Sequence, residues 1–183
     1  MDLEEKLKEI INNDAYIMSI LRAVESLKLY DSWVCAGIIR NKVWDVSHKC
    51  TTPLNDIDVI YYDRYDTSLE TEKLLENKLE ALISNQLWSV KNQARMHIKN
   101  GVSAYLSSYD GVANFPETPT AIAVKIQNEE LLIMAPYGLH DLFHHIVRPT
   151  PKFHQHMELY KIYRSRMKEK QWHKIWPRLV IEK

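Results

Sequence analysis

Asp56-Ile57-Asp58-Val59-Ile60-Tyr61-Tyr62 is the stretch on which the reading of this chain turns. Its β-branched and aromatic residues predict a strand, and in a strand alternate side chains face alternate sides. Asp56 and Asp58 then point one way while Ile57 and Val59 pack behind them. Two hard oxygen anions on a rigid element can bind one or two Mg²⁺ ions that also grip a nucleotide's phosphates, the arrangement phosphoryl and nucleotidyl transfer require. Two solvated acids at a strand end are the competing reading.

Working outward, Trp33-Val34-Cys35-Ala36-Gly37 reads as a short buried strand ending in a glycine, and Ile38 to Trp44 as the start of an amphipathic helix with Arg40 in its first turn. A glycine at a strand-to-helix turn lets a phosphate approach the backbone, where the free N–H groups of the helix favour an anion. Gly37 and the two aspartates are then halves of one site. Arg40 is the first candidate phosphate ligand, because a guanidinium fork suits a triphosphate. A structural ion pair with one of the aspartates is its alternative role.

Beyond the aspartates, 71–82 is helical in spacing, with Leu74, Leu75, Leu79 and Leu82 assigned to one side, and Leu87 to Lys91 is a second strand. Strand, helix, strand predicts a parallel pair with a crossover. Thr120 to Ile126 and Leu131 to Met134, separated by Gln127-Asn128-Glu129-Glu130, predict a hairpin. Two amphipathic helices precede the first strand and meet near Asn12-Asn13-Asp14. The segment from Glu158 to Trp176 is helical and basic, with Tyr160, Tyr163, Trp172 and Trp176 interleaved. Its aromatic side either packs on the domain or offers RNA a stacking surface.

Ala36-Gly37-Ile38-Ile39-Arg40-Asn41 followed by Asp56-Ile57-Asp58-Val59 resembles the Gly-Gly-x-x-Arg-Asp plus Asp-x-Asp signature of the head domain of bacterial-type CCA-adding enzymes and poly(A) polymerases, in the DNA polymerase beta superfamily. Val90-Lys91-Asn92-Gln93-Ala94 lies where that family has Arg-Arg-Asp-Phe-Thr, and Ala135-Pro136-Tyr137-Gly138-Leu139-His140-Asp141-Leu142, with Arg148 beyond, resembles its Asp-Pro-Phe-Gly-Gly-x-x-Asp-Leu…Arg segment. The chain as a whole is similar to small stand-alone bacterial nucleotidyltransferase-like proteins. Ala36, Asn41, Asn92 and Ala135 depart from the signature, the first replacing a glycine and the others aspartates.

The resemblance implies an α+β head domain, a mixed sheet flanked by helices, across 1–183: N-terminal helices over 1–30, a catalytic-type core over 31–150 and a basic helical segment over 151–183. It implies a Mg²⁺-dependent nucleotidyltransferase of the 2.7.7 type, which moves a nucleoside monophosphate from an NTP to an acceptor hydroxyl and releases pyrophosphate. Asp56 and Asp58 would be catalytic as metal ligands of a two-ion site. Gly37, Arg40, Asn41, Lys91, Asn92 and Arg95 would line the nucleotide. Glu117, just before a strand, is the candidate for a third acid at the metal. The acceptor is open among RNA, a small molecule and a protein hydroxyl. A non-catalytic nucleotide- or RNA-binding module on the same fold is the alternative. Asp141, at a helix start, is expected to cap it.

Composition narrows the field. At 183 residues the chain suits one domain with a sizeable core. Its 24 Lys and Arg balance 24 Asp and Glu, which removes any global case for coating nucleic acid or an anionic membrane. Two cysteines, Cys35 and Cys50, make no disulfide framework. A polar N-terminus and the lack of an apolar run of about 18 residues predict a cytoplasmic protein without a membrane partner. His140 and His144, four apart, lack the cysteine or glutamate that would complete a zinc motif.

Overall fold

The predicted strand exists as β2 (Ile57–Tyr61), and its two faces feed two separate clusters. The computed structural model describes residues 2–182. Ile57 and Val59 belong to the larger cluster and Ile60 to the smaller one. Asp58 shares the Ile60 face, as strict alternation requires.

β2 lies inside a five-stranded mixed sheet of order β3-β2-β1-β4-β5. β1 (Trp33–Cys35) runs antiparallel to β2 and to β4 (Ala123–Gln127), and β5 (Glu130–Met134) closes a hairpin with β4. Asn128 and Glu129 form the hairpin turn with φ of 52° and 65°, the left-handed pair that matches strand twist. β3 (Trp88–Asn92) is parallel to β2, so the chain must cross over, which it does through α4 (Leu69–Leu82). Thr120 to Ile122, expected in the strand, form a turn ahead of it, where the Thr120 and Ala121 amides both donate to the Glu117 carbonyl.

Helices α1 (Leu3–Asn12), α2 (Ala15–Ser26) and α3 (Gly37–His48) cover one face, burying Leu7, Ile11, Ile20 and Leu21 against Val34, Val59 and Val124. α4 packs there too, but through Glu72, Leu75 and Leu79. Leu74 and Leu82, assigned to the inner side, are more than half exposed, because the buried stripe runs at i, i+3, i+7 from Glu72. The other face is covered by α5 (Gln93–Asn100) and α6 (Ser108–Ala113). Those two helices meet at Gly111, where a Cβ would come within 2.3 Å of the Gln93 side-chain oxygen, so any larger residue must displace the Gln93 side chain.

The chain then passes through α7 (His140–Phe143), β6 (Ile146–Val147) and α8 (Pro151–Gln155). The basic helix is broken in two: α9 (Met157–Lys170) ends at Gln171 in the left-handed region, and α10 (Trp172–Ile175) turns across α3. Trp172 and Trp176 lie edge-on to Trp44 of α3, at 5.6 and 5.0 Å. The Trp176 indole donates to Asp45 at 2.8 Å, and β7 (Val180–Ile181) pairs with β6. The aromatic side of this segment therefore packs on the domain. Among the described residues no helix is long and apolar enough to cross a membrane.

Candidate active site

The site forms where β1 hands over to α3. Ala36 stands at the turn with φ 61° and ψ −122°, a region that only glycine enters without strain, although a methyl group occupies it. Its amide donates to the Ile122 carbonyl at 3.1 Å and its carbonyl starts the helix by accepting from Arg40, so hydrogen bonds on both sides hold the strained geometry. Gly37 follows as the first helical residue. A Cβ there would meet only the Arg40 guanidinium at 3.8 Å, so Gly37 leaves an open floor rather than relieving a clash. No side chain caps the first turn of α3, whose N–H groups face this floor.

Asp58 pairs in register with Cys35 on β1 and Ser89 on β3, which puts it beside the turn. Burial and then the charge of Asp56 push its carboxyl up to about 6, against the pull of the Ser89 hydroxyl, Arg40 and Lys91. Asp56 lies just ahead of the strand and is exposed. A carboxyl raised by burial and by its neighbour, beside an exposed second carboxylate, suits a hard divalent cation. Full burial, and then the charges of Asp58 and Asp56, hold the Cys35 thiol in its neutral form.

Arg40 is buried, and burial lowers its pKa to about 10, leaving it charged at neutral pH. Its Nε and Nη2 donate to Asn41 Oδ1 at 3.1 and 2.8 Å, and Nη1 donates to Thr120 Oγ1 at 2.8 Å. The Trp172 ring stacks over the guanidinium at 4.0 Å. Neither aspartate forms an ion pair with it. Asn41, where the signature has aspartate, accepts both N–H groups without adding charge.

Glu117 is not brought to the aspartates. It is fully buried and forks with Arg166 of α9, Nε to Oε1 at 2.6 Å and Nη2 to Oε2 at 3.4 Å, so the third acid serves to anchor a cation. Among the described residues no cluster of three His, Cys, Asp or Glu could hold a metal. Arg166, which the sequence reading left in a generic basic run, reaches the site. It follows Leu159 and Tyr163 at i, i+4, i+7, and that inward stripe was the signal that could have singled it out.

The third block divides. Asn92 is fully buried with all four side-chain hydrogen-bonding positions filled: Oδ1 accepts from the Asp63 and Ala94 amides at 3.0 Å each, and Nδ2 donates to the Asp63 and Asp66 carbonyls at 2.6 and 2.8 Å. It has nothing left for a nucleotide. Arg95 forks onto buried Glu72 at 2.7 and 2.5 Å, bracing α5 against α4. Lys91 lies 3.3 Å from Glu76 and 3.7 Å from Glu72. Asp141 accepts a hydrogen bond from Thr118 at 2.6 Å and forms an ion pair with Arg148 at 2.9 Å inside α7, tying two loops together instead of capping the helix.

Two cavities meet at Asp58. The first, of 380 Å³, is lined by Gly37, Arg40, Asn41, Asp56 and Asp58 and roofed by Arg166, Lys170 and Trp172. The second, of 460 Å³, holds Lys91, Lys99 and Phe115. A larger groove of 640 Å³ between α2 and β4 contains none of these residues, and its size carries no chemistry.

A five-stranded mixed sheet flanked by helices, with paired aspartates at the start of β2 beside a glycine turn at the start of α3, is the architecture of a nucleotidyltransferase head domain. The chain belongs to the nucleotidyltransferase family, which matches residues 22–181. A solved NMR structure described as revealing a CCA-adding enzyme head domain is similar at 33% identity, with 97% of this chain and 95% of that one covered and a TM-score of 0.86. The CCA-adding enzyme of Bacillus stearothermophilus in complex with CTP shares 15% identity over 84% of this chain and 38% of its own, with a TM-score of 0.54. A CCA-adding enzyme in its apo form I shares 12% over 100% and 43%, with a TM-score of 0.60. The chain thus spans less than half the length of these two enzymes, whose likeness concerns the fold. No curated protein matches the chain in sequence.

Proposed function

We propose that the protein is a Mg²⁺-dependent nucleotidyltransferase that moves a nucleoside monophosphate from an NTP to an acceptor hydroxyl and releases pyrophosphate. The observation that carries this reading is that Gly37, Arg40, Asn41, Asp56 and Asp58 all line one 380 Å³ cavity, a size suited to a small ligand. A related fold holding CTP agrees with a nucleotide there.

The carboxylates of Asp56 and Asp58 would hold the metal, and the cost of charging Asp58 beside Asp56 is the fit between site and cation. Bound there, Mg²⁺ would neutralise the triphosphate and acidify the acceptor hydroxyl. The first-turn amides of α3 receive phosphate oxygens over the bare floor at Gly37. Arg40, held flat by Asn41, Thr120 and Trp172, keeps a fixed positive charge beside them. Arg166, aimed by Glu117, adds a second cation on the Asp58 side of the cavity. Catalysis is mainly positioning and charge stabilisation.

Pyrophosphate release from each NTP, with and without Mg²⁺ and with candidate acceptors, tests this. Asp56→Ala and Asp58→Asn should each abolish release while leaving the circular dichroism spectrum unchanged; full turnover by Asp56→Ala would sink the reading. The second reading, a binding module without catalysis, is favoured by one feature: the strained methyl at Ala36 narrows the phosphate turn. In that case Asp58→Asn keeps the nucleotide and no acceptor yields product.

A further inference from the structure

Asp58 lines not one cavity but both, and Ala36, Thr120 and Arg166 do the same. The second cavity extends on the side away from Gly37, between β2, α5 and α9. Its charged lining is Asp58 against Lys91, Lys99 and Arg166. Lys91 and Arg166 are partly committed to Glu76 and Glu117, whereas Lys99 is exposed and makes no ion pair among the described residues. Met96, Phe115 and Ile162 add apolar surface to the same cavity beside these cations.

Resting on the nucleotidyltransferase reading above, we propose that this 460 Å³ cavity is the acceptor site, and that the acceptor is a small hydroxylated molecule with an anionic group and a compact apolar body. A nucleotide held over Gly37 has its reacting phosphorus near Asp58, where the two cavities join. An acceptor entering from the other side then faces that phosphorus opposite the pyrophosphate, as in-line displacement demands. The acceptor oxygen bonds to the α-phosphorus, the bond from that phosphorus to the bridging oxygen of pyrophosphate breaks, and the hydroxyl proton passes to water. The cavity volume is that of a small-ligand pocket, and the chain's zero net charge supplies no overall attraction for a polynucleotide. The excess of cations selects an anionic acceptor, and the apolar surface selects one with more than a bare polyol body.

Protein-observed NMR of the full chain tests this with 4-hydroxyphenyl phosphate and its uncharged counterpart hydroquinone, each added to protein saturated with Mg²⁺ and a non-hydrolysable CTP analogue. The phosphate compound is expected to shift Met96, Lys99, Phe115 and Ile162, hydroquinone to bind at least tenfold more weakly, and Lys99→Glu to weaken the phosphate compound tenfold without changing affinity for the CTP analogue. Equal binding of the two compounds, or shifts outside this cavity, would overturn the assignment of an anionic acceptor here. Silence from both, with the CTP analogue still bound, would overturn the acceptor site alone; failure of the analogue to bind would overturn the reading beneath it. A short RNA shifting the same four residues in place of the small molecule would assign the cavity to a polynucleotide end and reject this proposal.

Discussion

Replacing Asn92 separates a structural role from a nucleotide-binding one. Its side chain closes four hydrogen bonds that tie the 63–66 turn to the start of α5, and its backbone amide donates to Glu72 at 2.8 Å. Asn92→Ala removes all four side-chain bonds, one of them the N-cap of α5. At about 1 kcal/mol for a typical net hydrogen bond and about 1 for a cap, with partial rescue by water at the half-buried turn, the loss comes to about 3 kcal/mol. For a chain of this size that lowers the melting temperature by about 6–12 °C. Asn92→Asp, which restores the residue of the family signature, should be no better: it turns a carboxylate oxygen onto the Asp63 and Asp66 carbonyls that Nδ2 now serves. Thermal denaturation followed by circular dichroism reads the stability, and titration with a nucleotide at a temperature where both variants are folded reads the binding. An Asn92→Ala variant as stable as the parent but unable to bind nucleotide would refute this reasoning and return Asn92 to the ligand.

The other predictions concern strain, ion pairing and the C-terminal strap. Ala36→Gly should leave stability unchanged or raise it by up to about 1 kcal/mol, because relief of about 1–3 kcal/mol of backbone strain offsets the lost methyl burial and the glycine entropy; an unfolding free energy from chemical denaturation that falls by more than about 1 kcal/mol contradicts the observed φ. The Glu117 pair should be asymmetric. Arg166→Ala strands a fully buried carboxylate and should cost about 3 kcal/mol, whereas Glu117→Gln leaves a partly exposed guanidinium that water can reach and should cost about 1; equal losses in urea would contradict the burial difference. Trp172→Ala removes the ring stacked on Arg40 and one edge of the tryptophan cluster, with an expected loss of about 3 kcal/mol together with weaker nucleotide binding; unchanged affinity in calorimetry would mean that Arg40 does not need its brace.

The parts of this fold that the sequence displayed are those with local causes. β2, the turn at Gly37, the crossover helix and the hairpin all follow from alternation, glycine or spacing, and each exists within a few residues of where those patterns put it, β4 starting three residues later. The inward face of α4 was misassigned because Glu72, a charged residue, takes a core position by pairing with Arg95 and with the Asn92 amide. Asn92 matched a motif by position, yet its chemistry is decided by a turn some thirty residues upstream, which no local pattern reveals. Glu117 and Arg166, 49 residues apart, form the same kind of long-range pair. The break at Gln171 needs a left-handed residue without the glycine that usually announces one, so the basic helix read as continuous. That Asp56, Asp58, Gly37 and Arg40 share one cavity was legible because a strand and a helix start, both local, bring them together.

The most direct test of the central claim is an amide chemical-shift titration of the purified protein with ATP, CTP, GTP and UTP, each with and without Mg²⁺. The account predicts shifts at Gly37, Arg40, Asn41, Asp56 and Asp58 that require Mg²⁺ and disappear in Asp58→Asn; silence at these residues with all four nucleotides, or shifts confined to the groove between α2 and β4, would contradict it.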